Sequence, residues 1–522
     1  MSTLTRSYTP HEAQWDRFLT PPYTSSQSSY NHQYNSIYEL RLQSLSNRIA
    51  QPQSSDSTNT NPHNPIPSII EIPLNEPFFV IGTLVKDCIT RTDGESTGDG
   101  LISHKPLRSE KTFASTEDTI VLEDASGRIE LGFDVESGIT IGELCTGIVC
   151  GIEGVLETSD KVGKANNSGA VVNVTRVIFP SLPPPPVVNV NDQSGGSVMI
   201  LSGLEMSNPS NTHSTLSLEM LFDYVTGVAG LDGGHAISRI LIAGGLLPAR
   251  NSTASSTSNG TSSSSSRSIG RNTQREYEPM AELSQFLHRL TSSNIGVDII
   301  PGVDDYVTNR NLPQQPIHPC LFGPITAGSN SATNTTTGTT SLLNRASNPY
   351  QATIGGKLFL GSDGSPVRDM CRYCSETDDT AAGDAGDANG DVTTNNMSRA
   401  LTKCLQYGHL APTSPDSLGS HPIATNSSNS SNSNSTDPMV MECRPHVLFA
   451  GNCDDFRVVV NTSPSSSSDD SGMNATSTHC VCVPHFASTG KAVLVTWGGA
   501  ADMEVKCLTF DPVCRDDISM EE

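Results

Sequence analysis

The residues best suited to chemistry in this 522-residue chain lie between 297 and 325, VDIIPGVDDYVTNRNLPQQPIHPCLFGPI. Asp304 and Asp305 follow a short apolar run, Val297, Ile299 and Ile300, which reads as a buried strand ended by Pro301-Gly302. Open α/β sheets keep their ligands beyond the C-terminal ends of their strands, which is where this acidic pair falls. Such a loop suits two divalent ions gripping a scissile phosphate, which requires Asp, His and Asn converging from several strand ends. The other strand ends do not supply them. Where the first would carry Asp-x-His, the chain has Ser202 and Leu204, and where the second would carry Gly-Asp it has Gly244 and Gly245. At the third, Val303 and Asp304 stand in place of Asn-His. Near Gly451-Asn452-Cys453, where Gly-His-x-His is required, both histidines are missing. The expectation is a frame without ligands: no catalytic residue, no metal and no cofactor.

Other reactive residues read as structural. Cys371-Arg-Tyr-Cys374 is one CxxC, and a zinc site needs a second pair that only distant Cys404 or Cys443 could supply. Two thiols flanking a buried Tyr373 is the simpler expectation. Cys480 and Cys482 share one face of a strand and belong in a core. His318, His409, His421 and His446 sit beside Pro or Gly in loops, as satisfied structural histidines do. There is no Gly-x-Ser-x-Gly, Walker loop or dinucleotide fingerprint.

The elements that must position these residues are interrupted by polar tracts. Hydrophobic residues make up 35% of the chain and mean hydropathy is −0.28, because Ser/Asn/Thr/Gly runs dilute an ordinary globular sequence. A net charge of −24 opposes phosphate backbones, and the 31 Lys and Arg form neither a basic patch nor an import signal. The N-terminus lacks a basic-then-apolar leader, and no stretch approaches the ~20 apolar residues of a membrane span. The expectation is a soluble intracellular chain. Thirteen cysteines, an odd number widely spread, do not suggest a disulfide framework.

Residues 1–70 read as a disordered N-terminus and linker carrying one amphipathic helix over about 30–49, from the spacing of Tyr34, Ile37, Tyr38, Leu42, Leu45 and Ile49. Residues 71–181 hold about five short alternating strands, with a hairpin signal at Ser126-Gly127, a count that suits a small barrel such as the OB-fold. Acids such as Glu123, Asp124, Glu130 and Asp134 dominate it, and Phe133 and Phe179 read as core rather than stacking platforms for single strands. The Pro-rich stretch 182–190 is a stiff hinge. Residues 191–522 alternate strands with helices, the mark of an α/β layered domain. Low-complexity insertions at about 251–268, 328–347, 375–396, 424–436 and 463–478 fall between its elements, where added loop length costs little.

Several ordered motifs make the chain similar to the small (second, or B) subunits of eukaryotic DNA polymerase delta. They include Val121-Leu-Glu-Asp-Ala-Ser-Gly-Arg128, Ile200-Leu-Ser-Gly-Leu204 and Ser238-Arg-Ile-Leu-Ile-Ala-Gly244. Leu312-Pro-Gln-Gln-Pro-Ile-His-Pro-Cys-Leu-Phe322, Asn348-Pro-Tyr-Gln-Ala-Thr-Ile354 and His409-Leu-Ala-Pro-Thr-Ser-Pro-Asp-Ser-Leu-Gly419 follow. Pro445-His-Val-Leu-Phe-Ala-Gly-Asn452 and Val483-Pro-His-Phe486 complete the series. Where the family reads Asp-Pro-Thr-Asn, this chain has Asp305-Tyr-Val-Thr-Asn309, one residue longer. The resemblance implies an OB-fold domain followed by an inactive calcineurin-like metallophosphoesterase domain, a two-layered αββα sandwich, with the polar tracts as loop insertions. It also implies a nuclear, non-catalytic subunit in replication and repair synthesis. Its implied role is to bridge the C-terminal metal-binding domain of the catalytic subunit and a third, clamp-contacting subunit, touching the sliding clamp indirectly and DNA only through the complex, with no membrane role.

Three rivals remain beside that expectation. One is a residual Mn-dependent phosphodiesterase or exonuclease using Asp304, Asp305, His318 and His409. The others are a barrel that binds nucleic acid directly and the equivalent (second) subunit of a different replicative polymerase.

Overall fold

The computed structural model describes residues 9, 11–19, 34–50, 65–88, 112–115, 117–133, 140–158, 170–186, 195–208, 212–228, 237–248, 269–303, 305, 310–326, 342–374, 392–422, 436–462, 477–498 and 503–511. The five insertions proposed from composition lie almost wholly outside them, as do residues 306–309.

The N-terminal segment departs from expectation. Read as disordered, it instead lays down β1 (His11–Ala13), antiparallel to a strand about 340 residues later, and a short 3-10 turn at Trp15–Phe18. Trp15 and Phe18 carry the correction: both are buried, and the Trp15 ring stacks on Tyr350 at 5.4 Å between centroids. Helix α1 (Asn35–Ala50) forms where the apolar spacing placed it, and packs Ile37, Leu45 and Ile49 into its own chain.

Five strands then close into a barrel: β2 (Pro77–Asp87), β3 (Thr119–Glu123), β4 (Arg128–Phe133), β5 (Val149–Thr158) and β6 (Ala170–Ile178). Their order is β2-β3-β4-β6-β5, with β4 and β6 parallel and β5 returning to β2, so the barrel has no open edge. Alternation fixes which face is inside: Ile120, Leu122, Leu131, Ile152 and Val172 point inward and are buried.

Beyond the barrel, two six-stranded sheets face each other. One runs β10-β9-β8-β7-β16-β17, from β7 (Gly196–Leu201), β8 (Arg239–Ala243), β9 (Gly296–Ile300), β10 (Leu343–Arg345), β16 (Lys491–Trp497) and β17 (Glu504–Thr509). The other runs β1-β11-β12-β13-β15-β14, from β11 (Tyr350–Ile354), β12 (Lys357–Ser362), β13 (Val447–Cys453), β14 (Arg457–Thr462) and β15 (Ser477–Pro484). Strand parity sorts the side chains of β7 and β8. Val198, Ile200 and Leu241 enter the core shared with the second sheet, whereas Met199, Leu201 and Ile242 pack outward beneath α2 (Thr212–Thr226) and α3 (Ile269–Ser292). Helices α4 (Ser365–Cys371) and α5 (Val392–Tyr407) cover the outer face of the second sheet. Short β10 and the edge strands β14 and β17 were not legible from periodicity.

The Pro-rich stretch is not a free pivot. The Arg48 guanidinium donates to Ser181 O, and Arg444 N donates to Pro184 O at 2.7 Å. Arg41, 1% exposed, sits where helix, barrel and sandwich meet, donating to Gly147 O, Pro412 O and Ser414 O at 3.3, 2.9 and 2.7 Å. Gly147 adopts φ +83°, and an added Cβ would stand 1.9 Å from Pro412 O. Gly147→Ala is therefore expected to lower stability by about 2–3 kcal/mol, through positive φ and overpacking together. A lower urea midpoint with an unchanged slope would register this.

Candidate functional site

Parallel strands bring six C-terminal ends to one place. Strands β7, β8 and β9 run parallel, as do β12, β13 and β15. Their ends deliver Ser202, Gly244-Gly245, Gly302-Val303, Asp363, Asn452 and His485 to a common cluster. The expected convergence is thus present, and what fills it is backbone and hydrogen bonds.

Ser202 is fully buried; its Oγ accepts from Asn452 N at 2.8 Å and lies 2.9 Å from Pro484 O, to which the hydroxyl donates. Leu204 points away into the apolar layer under α2 and α3. Gly245, at φ +65°, is pressed so closely that a Cβ would lie 2.7 Å from both Asn452 Oδ1 and Gly203 Cα. Asn452 itself has φ +53°, and its Nδ2 donates to Ala243 O at 3.2 Å and Asp363 O at 2.9 Å, tying the two sheets together. Cys453 is buried; a hydrogen bond with Cys482, then burial, holds its thiol well above the ordinary range.

Asp305 is buried and turned inward. Oδ1 accepts from the backbone N–H of Leu246 (2.8 Å) and Leu247 (3.1 Å), and Oδ2 from that of Gly302 (2.8 Å). Burial pushes its carboxyl up to about 7, against the downward pull of those three donors. Asp363, which the sequence reading missed, accepts from Asn348 Nδ2 at 2.8 Å, from Ser365 Oγ at 2.7 Å and from Val303 N at 3.2 Å. Asn348 also donates to Gln314 Oε1 at 2.6 Å, and the backbones of Gln314 and Asn348 bond reciprocally at 2.7 and 3.0 Å. Two of the sequence motifs therefore meet as a lock beneath the strand ends. The signal was available in Leu312–Pro316 and Asn348-Pro349, but their mutual contact spans 34 residues and no local pattern reports it.

This donor set does not fit two metal ions. Its two carboxylates are engaged by N–H and O–H groups, and the remaining positions offer an alcohol, glycines, an amide and a buried thiol. One atom, Asn452 Oδ1, is buried without a hydrogen-bond partner, and a lone amide oxygen is not a binuclear cradle. Among the described residues no three His, Cys, Asp or Glu side chains gather closely enough to hold a metal ion. Asp304 lies outside the described residues.

The residues of the rival hydrolase are occupied separately. His318 is exposed, with Nδ1 2.8 Å from Cys320 Sγ. His409 is buried, its Nε2 3.0 Å from Asp437 Oδ2 and its Nδ1 accepting Ala411 N at 3.1 Å. Burial, helped by the nearby Arg41 charge, lowers its pKa from 6.5 to about 4. The unfolded chain protonates this ring near 6.5 and the folded chain only near 4, so its contribution is complete above 6.5 and lost as pH falls toward 4. The ring resonances of His409 are expected to stay at their neutral positions down to about pH 4 in an NMR titration.

Tyr373 is buried between half-buried Cys371 and Cys374, with the Phe113 ring edge-on at 5.3 Å and Lys86 Nζ donating to its carbonyl at 2.6 Å. On the barrel, two arginines are paired with acids: Arg128 with Glu123 at 3.1 Å and Arg176 with Glu153 at 3.9 Å. No helix among the described residues is long and apolar enough to cross a membrane.

Two family models match the chain. The one for the DNA polymerase alpha/epsilon B-type subunit covers residues 198–458, and the DNA polymerase delta subunit OB-fold domain covers residues 33–163. The chain is 26% identical to the DNA polymerase delta small subunit of Oryza sativa subsp. japonica, over 92% of this chain and 93% of that protein. It is also 26% identical to the Saccharomyces cerevisiae protein of the same name, over 89% and 87%. With DNA polymerase delta subunit 2 of Drosophila melanogaster it shares 25% identity, over 89% and 91%.

Proposed function

The chain belongs to the family of B-type DNA polymerase subunits alongside the delta small subunits, which makes it an accessory subunit of that polymerase, and we propose that it works there without catalysing. One observation carries this: the strand ends where a two-metal hydrolase would hold its ions are packed with backbone, and their two carboxylates are engaged by hydrogen bonds. Two stacked sheets with helices outside support reading the second module as a calcineurin-like phosphoesterase frame that has lost its ligands, positions Ser202, Leu204, Gly245, Val303, Asp304, Asn452 and Cys453 being the degenerate ones.

A rigid body of this kind serves as a scaffold. In our reading it bridges the C-terminal metal-binding domain of the catalytic subunit and the clamp-contacting third subunit, in the nucleus, during replication and repair synthesis. It meets the sliding clamp indirectly and DNA only through the complex. The interface of such a permanent assembly is on the order of 2,000 Å² or more. The barrel–sandwich joint around 181–190 is a natural part of it, because the stretch 181–186 is fixed to both halves.

Tagged full-length chain recovered from nuclear extract is expected to bring down the delta catalytic and third subunits, identified by mass spectrometry. Recovery of the alpha or epsilon catalytic subunit instead would overturn the assignment to delta. Purified chain with Mn²⁺ is expected to leave single-stranded DNA intact. Turnover abolished by Asp304→Ala and Asp305→Ala would restore the enzyme reading.

A further inference from the structure

The sandwich has four outer strands, and three are guarded as sheet edges usually are. β1 and β10 are three residues long, and β17 presents Glu504 and Lys506, paired at 2.8 Å. β14 is different. It spans six residues, Arg457–Thr462, pairs with β15 on one side, and has no strand on its other side among the described residues.

Its three central residues, Val458, Val459 and Val460, are 36, 38 and 50% exposed. Neighbouring side chains on a strand point to opposite faces, so three exposed valines in a row leave β14 bare on both faces as well as at its edge. β-Branched residues with free backbone N–H and C=O groups are what an added strand recognises. This sheet already accepts one added strand at its far side, where β1 joins β11 from about 340 residues away in sequence. We infer that β14 is a docking edge for an extended, β-branched segment flanked by Lys or Arg, contributed by another subunit of the polymerase. The inference rests on the accessory-subunit reading.

Charge selects that occupant over a second copy of this chain. Each copy carries a formal charge of −24, so two copies repel, whereas a basic partner is drawn in. Exposed Asp454, just before the strand, adds a local acid to meet a flanking cation.

The test uses the full chain, alone and coexpressed with the catalytic and third subunits, followed by hydrogen–deuterium exchange. Amides of 457–462 are expected to exchange readily in the free chain and at least tenfold more slowly in the complex. Val458→Lys with Val460→Lys is expected to weaken assembly at least tenfold while the thermal melt of the free chain is unchanged. Assembly without added protection of β14 would overturn the docking edge and leave the accessory-subunit reading standing. Slow exchange in the free chain at low concentration would mean that its own sequence covers the edge, and protection that grows with its concentration would mean a second copy; either result overturns the inference. Failure of the wild-type chain to assemble at all would overturn the accessory-subunit reading and this inference with it.

Discussion

Replacing Arg41 by alanine is expected to cost about 3–5 kcal/mol, as removal of one partner from a buried ion pair does. The guanidinium lies 3.1 Å from Asp437 Oδ2 through Nε, with both side chains nearly inaccessible at 1% and 2% exposure. Its other nitrogens reach three carbonyls that belong to the barrel and to the sandwich. Burial alone would raise the Asp437 carboxyl, yet His409 and Arg41 together hold it well below the usual range. Without Arg41 that charge is buried beside one neutral histidine, and the three carbonyls lose their donor. Arg41→Lys keeps the charge but not the planar fork, so it should recover part of the loss. Against a typical total stability of about 5–15 kcal/mol, the alanine variant would be close to unfolding. Urea denaturation of the full chain at pH 7 measures it, and a loss below about 1 kcal/mol would show that the joint does not depend on this residue.

Asp298→Ala should be nearly as severe, again about 3–5 kcal/mol. This carboxylate is fully buried in the middle of β9, facing the second sheet. Arg239 pairs with Oδ1, Asn344 Nδ2 donates to the same oxygen at 2.8 Å, and Tyr350 donates to Oδ2 at 2.7 Å. His11 of the N-terminal strand lies 3.1 Å from Oδ2. Burial pushes this carboxyl upward, but Arg239, His11 and the tyrosine hydroxyl outweigh it and leave the group well below its ordinary value. The sign follows: its stabilisation is present above the unfolded carboxylate pKa, about 3.9, and is lost as pH falls through the lower folded value. Alanine removes both the stability and that acid dependence, so wild type and variant should converge in urea midpoint as pH drops below about 4.

Local pattern carried much of the framework. Helix α1, the barrel alternation and the apolar strands from β7 to β9 followed from spacing and composition. Arg41 did not, because a lone cation in an amphipathic helix reads as a solvated one until the barrel and sandwich close over it. Asp298 was hidden for the opposite reason: one acid inside VDII looks like an interruption of an apolar run, and its four partners come from residues 11 to 350. β1 is too short to show any period and exists because β11 offers an edge. The strand ends of the candidate site were legible from their missing ligands. How they are filled was not, since Gln314, Asn348 and Asp363 meet only through tertiary contact.

The seat of Gly245 bears on reversibility. Reinstating an aspartate there would force its first carbon against a neighbouring amide oxygen and a glycine of the adjacent strand, in a backbone conformation that resists any side chain. Regaining hydrolysis would thus require simultaneous changes on several strands, every intermediate being less stable than its parent. Sterics alone have made the change a ratchet, leaving later substitutions free to reshape the outer surfaces without reawakening the old reaction.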